Sequence, residues 1–120
     1  MSYLDKFSLK SKICLVTGGA GGIGEEICKA LLDAGSKVII ADVDEKKATK
    51  FLKSLSKKSK SVFFYKLDAT SQESIISLRD KIIKKFKKID VLVNAIGICE
   101  NRDAVDVSKE EWDNVININV

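Results

Sequence analysis

The 120 residues are 45% hydrophobic and 32% charged, with a net charge of +4 carried almost wholly by lysine, a composition that suits one soluble domain or part of one. No run of about 18 apolar residues is present to span a membrane, and the absence of histidine excludes His-ligated metals and Ser–His triads. Cys14, Cys28 and Cys99 are few and scattered, so free thiols are expected, with neither a disulfide nor a metal site.

The amino-terminal MSYLDKFSLKSK lacks an apolar signal core, which points to the cytoplasm. KICLVT (12–17) is a short apolar run rich in branched residues, the mark of a buried strand. Ile23, Ile27, Ala30, Leu31 and Ala34 then recur at helical spacing, and Gly35 supplies the stop. KVIIAD (37–42) is a second buried strand, after which Asp44 caps a helix with Ala48, Phe51, Leu52 and Leu55 inward. SVFFYKL (61–67) is a third strand. Thr70 and Glu73 have capping-box spacing and open a helix with Ile75, Leu78, Ile82 and Phe86 on one side, Ile76 and Ile83 beside them. IDVLVNAIG (89–97) reads as a fourth strand and a turn. Ser108 and Glu111 start a last helix bearing Trp112, Val115 and Ile116, with Trp112 expected in the core. Residues 116–120 alternate apolar and polar as a strand would, but the capping box and the Trp112, Val115, Ile116, Val120 spacing predict helix.

The lysine runs are SKKSK (56–60) and KIIKKFKKID (81–90). They lack interleaved aromatic residues for base stacking, apart from Phe86 at a core-spaced position. They read as solvated helix C-termini, where lysine favours the dipole, and no nucleic-acid partner is expected.

Strands apolar on both faces, joined by helices, predict an α/β fold of the doubly wound, Rossmann type. With the switch point after strand 1, the order is 3-2-1-4 in a parallel sheet covered on both sides. Between the first strand and first helix lies TGGAGGIG (17–24), which holds five of the seven glycines. Glycines there let the backbone turn tightly and let a pyrophosphate approach helix N-terminal amides. A nucleoside-triphosphate loop would need Gly-Lys-Ser/Thr, whereas Gly24 is followed by Glu25 and Glu26. Gly19, Gly21 and Gly24 fit GxGxxG; Gly18, Gly22 and Gly24 fit a wider register. Asp42, about 20 residues on at the end of the next strand, is placed to accept both adenosine-ribose hydroxyls of NAD. Against the 2′-phosphate of NADP it would meet like charge, roughly 4 kcal/mol per pair at 4 Å and an effective dielectric near 20. NAD is therefore the expected cofactor.

At this point the sequence resembles the short-chain dehydrogenase/reductase family over nearly its whole length. Thr17-Gly18-Gly19-Ala20-Gly21-Gly22-Ile23-Gly24 matches the family's TGxxxGIG turn, and Asp42 its NAD-preferring acid. Leu67-Asp68-Ala69-Thr70 is similar to the third-strand motif, and Asp90 to Gly97 to the strand ending in NNAG. Trp112 to Val120 resembles the helix that carries the active-site Asn, which falls on Asn119. The resemblance implies cofactor contacts at Gly18, Ala20, Gly21, Gly22, Ile23, Gly24, Asp42, Val43, Asp68, Ala69, Asn94, Ala95, Ile96 and Gly97. It implies that Asp68 and the following amide hold the adenine. Asn119 would bend its helix and tie a water into the proton relay. Read from the residues alone, Asp68 could instead cap the helix near Thr70, Asn94 could bracket strands 4 and 1, and Asn119 could face solvent.

Two departures stand out. Ala95 and Ile96 replace the family's Asn and Ala, which removes a hydrogen-bonding side chain and adds bulk. The family's Ser and Tyr-x-x-x-Lys are absent, since four positions beyond Tyr3 and Tyr65 lie Phe7 and Ala69. The expectation is that residues 1–120 are the first half of an NAD(P)-binding domain, cut off before the catalytic segment and inactive alone. The parent would interconvert a secondary alcohol and a ketone, and the resemblance implies a homo-oligomer. The alternative is a stand-alone, non-catalytic NAD- or ADP-binding module.

Overall fold

The computed structural model describes residues 1–56, 60–99 and 101–120; most of the SKKSK run lies outside them. The chain alternates strand and helix as β1 (Ile13–Thr17), α1 (Gly22–Asp33), β2 (Lys37–Asp42), α2 (Glu45–Ser56), β3 (Val62–Lys66), α3 (Gln72–Phe86), β4 (Val91–Asn94) and α4 (Lys109–Asn119). Short 3₁₀ turns precede β1 and α4, at Leu4–Phe7 and Ala104–Asp106. All pairings are parallel and the order is β3-β2-β1-β4, as the sequence predicts. The register aligns Thr17 with Ala41 and with Asn94, and Asp42 with Lys66.

Side-chain alternation divides the core into two layers. Ile13, Leu15, Ile39 and Ala41 point to one face and meet Leu78 and Ile82 of α3. Val16, Val38, Ile40 and Val62 point to the other and meet Cys28 of α1 with Phe51 and Leu55 of α2. Helices on both faces explain why β1 and β2 read as continuous apolar runs.

The helix ends follow local chemistry. Gly35, at φ +94°, turns the chain out of α1, and Asp44 Oδ1 accepts from the Lys47 amide at 3.0 Å to open α2. Ser108 and Glu111 form the full capping box of α4, so residues 109–119 are helical despite their alternation. At α3 the cap differs from expectation. Ser71, not Thr70, accepts the Ser74 amide, at 3.2 Å, because Thr70 already gives its amide and hydroxyl to Asp68.

Three apolar assignments are corrected. Ile23 is 79% exposed, and α1 buries Gly24 and Cys28 instead. Ile75 faces outward at 47%. Trp112, expected in the core, is 62% exposed, and Ile116 on the same helix is 44% exposed. β4 is an edge strand whose Leu92 is likewise bare.

Candidate functional site

The four strands run in one direction, so their C-terminal ends share one edge. From β1 the chain steps outward through β2 and β3, then returns to the other side of β1 as β4. That reversal leaves a crevice between the ends of β1 and β4, the usual ligand position in such sheets. A cleft of about 510 Å³ opens there.

The glycine turn forms its first wall. Gly18 has φ +72° and gives its amide to Ala41 O at 2.8 Å. A Cβ on Gly18 would stand 2.5 Å from Ala95 O, so the turn after β1 and the loop after β4 approach as only glycine permits. Gly21 donates to Gly18 O at 3.2 Å, and Glu25 donates to Gly21 O at 2.8 Å as the first bond of α1. The Gly22, Ile23 and Gly24 amides therefore precede any intrahelical acceptor. Nothing lies within 4 Å of the Cβ position of Gly22. This is an open cradle at a helix N-terminus, the arrangement that suits an anion.

The ends of β2 and β3 form the second wall. Asp42 is half-buried, with Oδ2 accepting from the Ala20 amide at 3.1 Å and Oδ1 from the Asp44 amide at 3.0 Å. Each oxygen is pinned by one donor and keeps a lone pair for another. Val43, Asp44 and Lys47 continue this wall. Asp68 Oδ1 accepts the Thr70 amide at 3.0 Å and hydroxyl at 2.6 Å. Those two bonds, with a smaller contribution from Lys66, hold the Asp68 carboxyl below the usual range. The local-turn role considered for Asp68 is thus present, and the residue also faces the cleft.

The loop after β4 and one face of α4 complete the cleft, through Ala95, Ile96, Gly97 and Ile98 and then Asn114, Asn117 and Ile118. Asn119 stands behind this wall. Its Oδ1 accepts from the Ile98 amide and its Nδ2 donates to Ile98 O, both at 2.9 Å. Both of its amide atoms are thus engaged in clamping the loop to α4.

Of the residues predicted for the site, Gly18, Ala20, Gly21, Asp42, Val43, Asp68, Ala69, Ala95, Ile96 and Gly97 line one cleft. Gly22, Ile23, Gly24, Asn94 and Asn119 lie outside its lining. Gly24 is a packing glycine, since a Cβ there would fall 2.1 Å from Gly18 O. Asn94 Oδ1 accepts the Thr17 hydroxyl at 3.1 Å and so brackets β4 to β1. Sequence reasoning did not assign Lys47, Asn114, Asn117 or Ile118. The signal for the α4 residues is their i, i+3, i+4 spacing.

Thr70 carries the one hydroxyl among the described lining residues, and it is engaged by Asp68. The cleft thus offers backbone amides, the carboxylates of Asp42, Asp44 and Asp68, the Lys47 ammonium, two asparagines and apolar walls. Among the described residues no group of His, Cys, Asp or Glu side chains could hold a metal ion, and no helix is long and apolar enough to cross a membrane.

Known proteins resemble this chain in sequence and in fold. A short chain dehydrogenase/reductase of Colletotrichum higginsianum is 38% identical over 93% of this chain and 42% of its own length. Cyclopentanol dehydrogenase of a Comamonas species is 32% identical over 93% of this chain and 45% of its own. The crystal structure of gox2181 superimposes with a TM-score of 0.91 at 34% identity, over 99% of this chain and 47% of that one. The chain thus spans less than half the length of these relatives. The sequence model of the family described as short chain dehydrogenase matches residues 12–120, and the chain belongs to that family of oxidoreductases.

Proposed function

We propose that residues 1–120 are the ADP-binding portion of an NAD-dependent oxidoreductase that interconverts a secondary alcohol and a ketone. The observation that carries this reading is the pinned Asp42 carboxylate beside the open glycine cradle. The two features are joined directly, because the Ala20 amide of the turn is one of the donors that fixes Asp42.

The residues fit a dinucleotide in three places. The unpaired amides of Gly22, Ile23 and Gly24 would meet its pyrophosphate, with Gly22 leaving room for approach. Ile23 would contribute its amide and not its side chain. The remaining lone pairs of Asp42 would accept the two ribose hydroxyls, whereas a 2′-phosphate would meet a fixed negative charge. Asp68 and the Ala69 amide would hold the adenine, and Val43, Ala95, Ile96 and Gly97 would enclose it. The chemistry that a bound nicotinamide dinucleotide contributes is hydride transfer.

No Tyr-x-x-x-Lys spacing occurs in the 120 residues, so this reading gives them binding and orientation, not proton transfer. Asn119 then acts by fixing the loop through Ile98. The relative named for cyclopentanol, a secondary alcohol, supports the substrate class. Trp112, Ile116 and Leu92, bare on α4 and β4, support coverage by further protein surface, as in a homo-oligomer.

Isothermal titration tests the reading. NAD should bind at least about tenfold tighter than NADP, and Asp42→Ala should weaken NAD while narrowing the gap. Tighter binding of NADP, or binding of neither, would refute it.

A further inference from the structure

The first turn of α2 returns a cation to the cleft beside Asp42. Lys47 is five positions beyond Asp42 in sequence, yet it lines the same wall as Asp42 and Asp44. The three residues are linked in series. Asp42 Oδ1 accepts the Asp44 amide, and Asp44 Oδ1 accepts the Lys47 amide, each at 3.0 Å. The Lys47 ammonium stands 3.9 Å from Asp44 Oδ2, with the lysine side chain 72% exposed. That pair is loose and solvated, so little holds the ammonium to Asp44 alone. A lysine has three donors and can serve a second anion without leaving the first.

We infer that Lys47 sets how strongly this site discriminates against a 2′-phosphate, opposing the repulsion that Asp42 exerts. The inference rests on the dinucleotide reading above and goes beyond it. On the Asp42 carboxylate alone, rejection of NADP would have its full electrostatic strength. With Lys47 in the same wall, the two aspartates are opposed by one cation, and a 2′-phosphate of charge near −2 gains from it more than a neutral hydroxyl does. Preference for NAD is thereby softened but not reversed. Asp44 acts on the same balance from the other side, because it both adds negative charge and occupies the ammonium.

Titration of NAD and NADP into the 120-residue chain at low salt tests this with three substitutions. Lys47→Ala should weaken NADP by roughly fivefold, the upper range for an exposed pair, and leave NAD within about twofold. Lys47→Arg should restore the NADP affinity. Asp44→Asn keeps an N-cap acceptor, so α2 remains capped, and should tighten NADP by about threefold. All three effects should shrink at about 1 M salt, where screening acts within about 3 Å. A merely structural role for Lys47 would shift both dinucleotides together and would give Asp44→Asn no opposite sign. If NAD binds but the NADP-to-NAD ratio is unchanged in Lys47→Ala, the inference fails and the dinucleotide reading stands. If neither dinucleotide binds the wild-type chain, both fail.

Discussion

Two glycines two residues apart should respond in opposite ways to the same added methyl group. At Gly24 a Cβ would lie 2.1 Å from Gly18 O and 2.8 Å from Gly19 Cα, both backbone atoms that cannot rotate aside. To reach even 3.0 Å from the oxygen, α1 must retreat by about 0.9 Å from the turn. Forcing such a contact in a packed region costs about 1–3 kcal/mol, more than the helix gain of up to about 1 kcal/mol on leaving glycine. At Gly22 nothing lies within 4 Å, so only the helix gain remains, about 0.5 kcal/mol at this terminal position. In a domain of this size 1 kcal/mol moves the melting temperature by about 4 °C. Gly24→Ala should therefore melt several degrees lower and Gly22→Ala about 2 °C higher. Calorimetry or circular dichroism reads the shift, and NAD titration separates fold from site. If the pyrophosphate sits at this helix N-terminus as proposed, a Gly22 methyl takes up approach space there, and the more stable variant should bind NAD about fivefold or more weakly. A Gly24→Ala chain that melts at or above the wild type would refute the packing argument. A Gly22→Ala chain with undiminished affinity would remove the pyrophosphate from that position.

Acid should destabilise the chain through three carboxylates. Asp68 is held below the usual range first by its bonds from Thr70, Asp90 first by Lys88 and then by the Ile13 amide, and Glu111 by its bonds with Ser108. Each carboxyl binds protons less readily folded than unfolded, so its stabilisation is complete above the ordinary carboxylate range and is lost as pH falls through the depressed folded value. The urea midpoint should be flat from about pH 7 to 5 and fall below about pH 4, less steeply in Asp90→Asn; a midpoint that rises on acidification would contradict this. Thiol reactivity should divide by burial. Cys14 and Cys28 are fully buried, and burial, with Glu25 adding, pushes the Cys28 thiol up to about 12, whereas Cys99 is exposed. At pH 8 an aromatic disulfide reagent should label one thiol per chain within minutes and all three in urea; rapid labelling of two or three in the native chain would show that the core opens.

The strands were legible because both faces of the sheet are covered, which forces unbroken apolar runs at Ile13–Thr17 and Lys37–Asp42. The phase of α1 was not. Hydropathy places Ile23 inward, but contact with the turn is made by Gly24, and the inner face continues through Cys28. A glycine required for close approach carries no hydropathy, so periodicity locks onto its neighbour. The cap of α3 failed for a related reason. Thr70 and Ser71 are equivalent as acceptors, and only the position of Asp68, which takes the Thr70 hydroxyl, decides between them. Most of the cleft was legible because motif residues at strand ends share one sheet edge by topology. Lys47 was not, since its place depends on the turn Asp44 makes in entering α2.

The cleft walls are held with unequal firmness. The glycine turn, Asp42 and Leu67 are tied together by sheet-edge bonds, Gly18 to Ala41 O at 2.8 Å, Ala20 to Asp42 at 3.1 Å and Leu67 to Asp42 O at 3.0 Å. Those donors and acceptors stand in place before any ligand arrives, which lowers the ordering cost of binding on that side. α4 is different. Its spacing shows that Trp112 and Ile116 share a face, but spacing alone does not say whether another surface meets that face, and among the described residues both remain exposed. The helix is tied to the loop after β4 by the paired bonds of Asn119 with Ile98. A single carboxamide thus ties the loop after β4 to the helix that carries Asn114 and Asn117. That is a physical reason for an asparagine at position 119: a carboxamide accepts through one atom and donates through another to the same backbone residue, whereas an ionised aspartate can only accept.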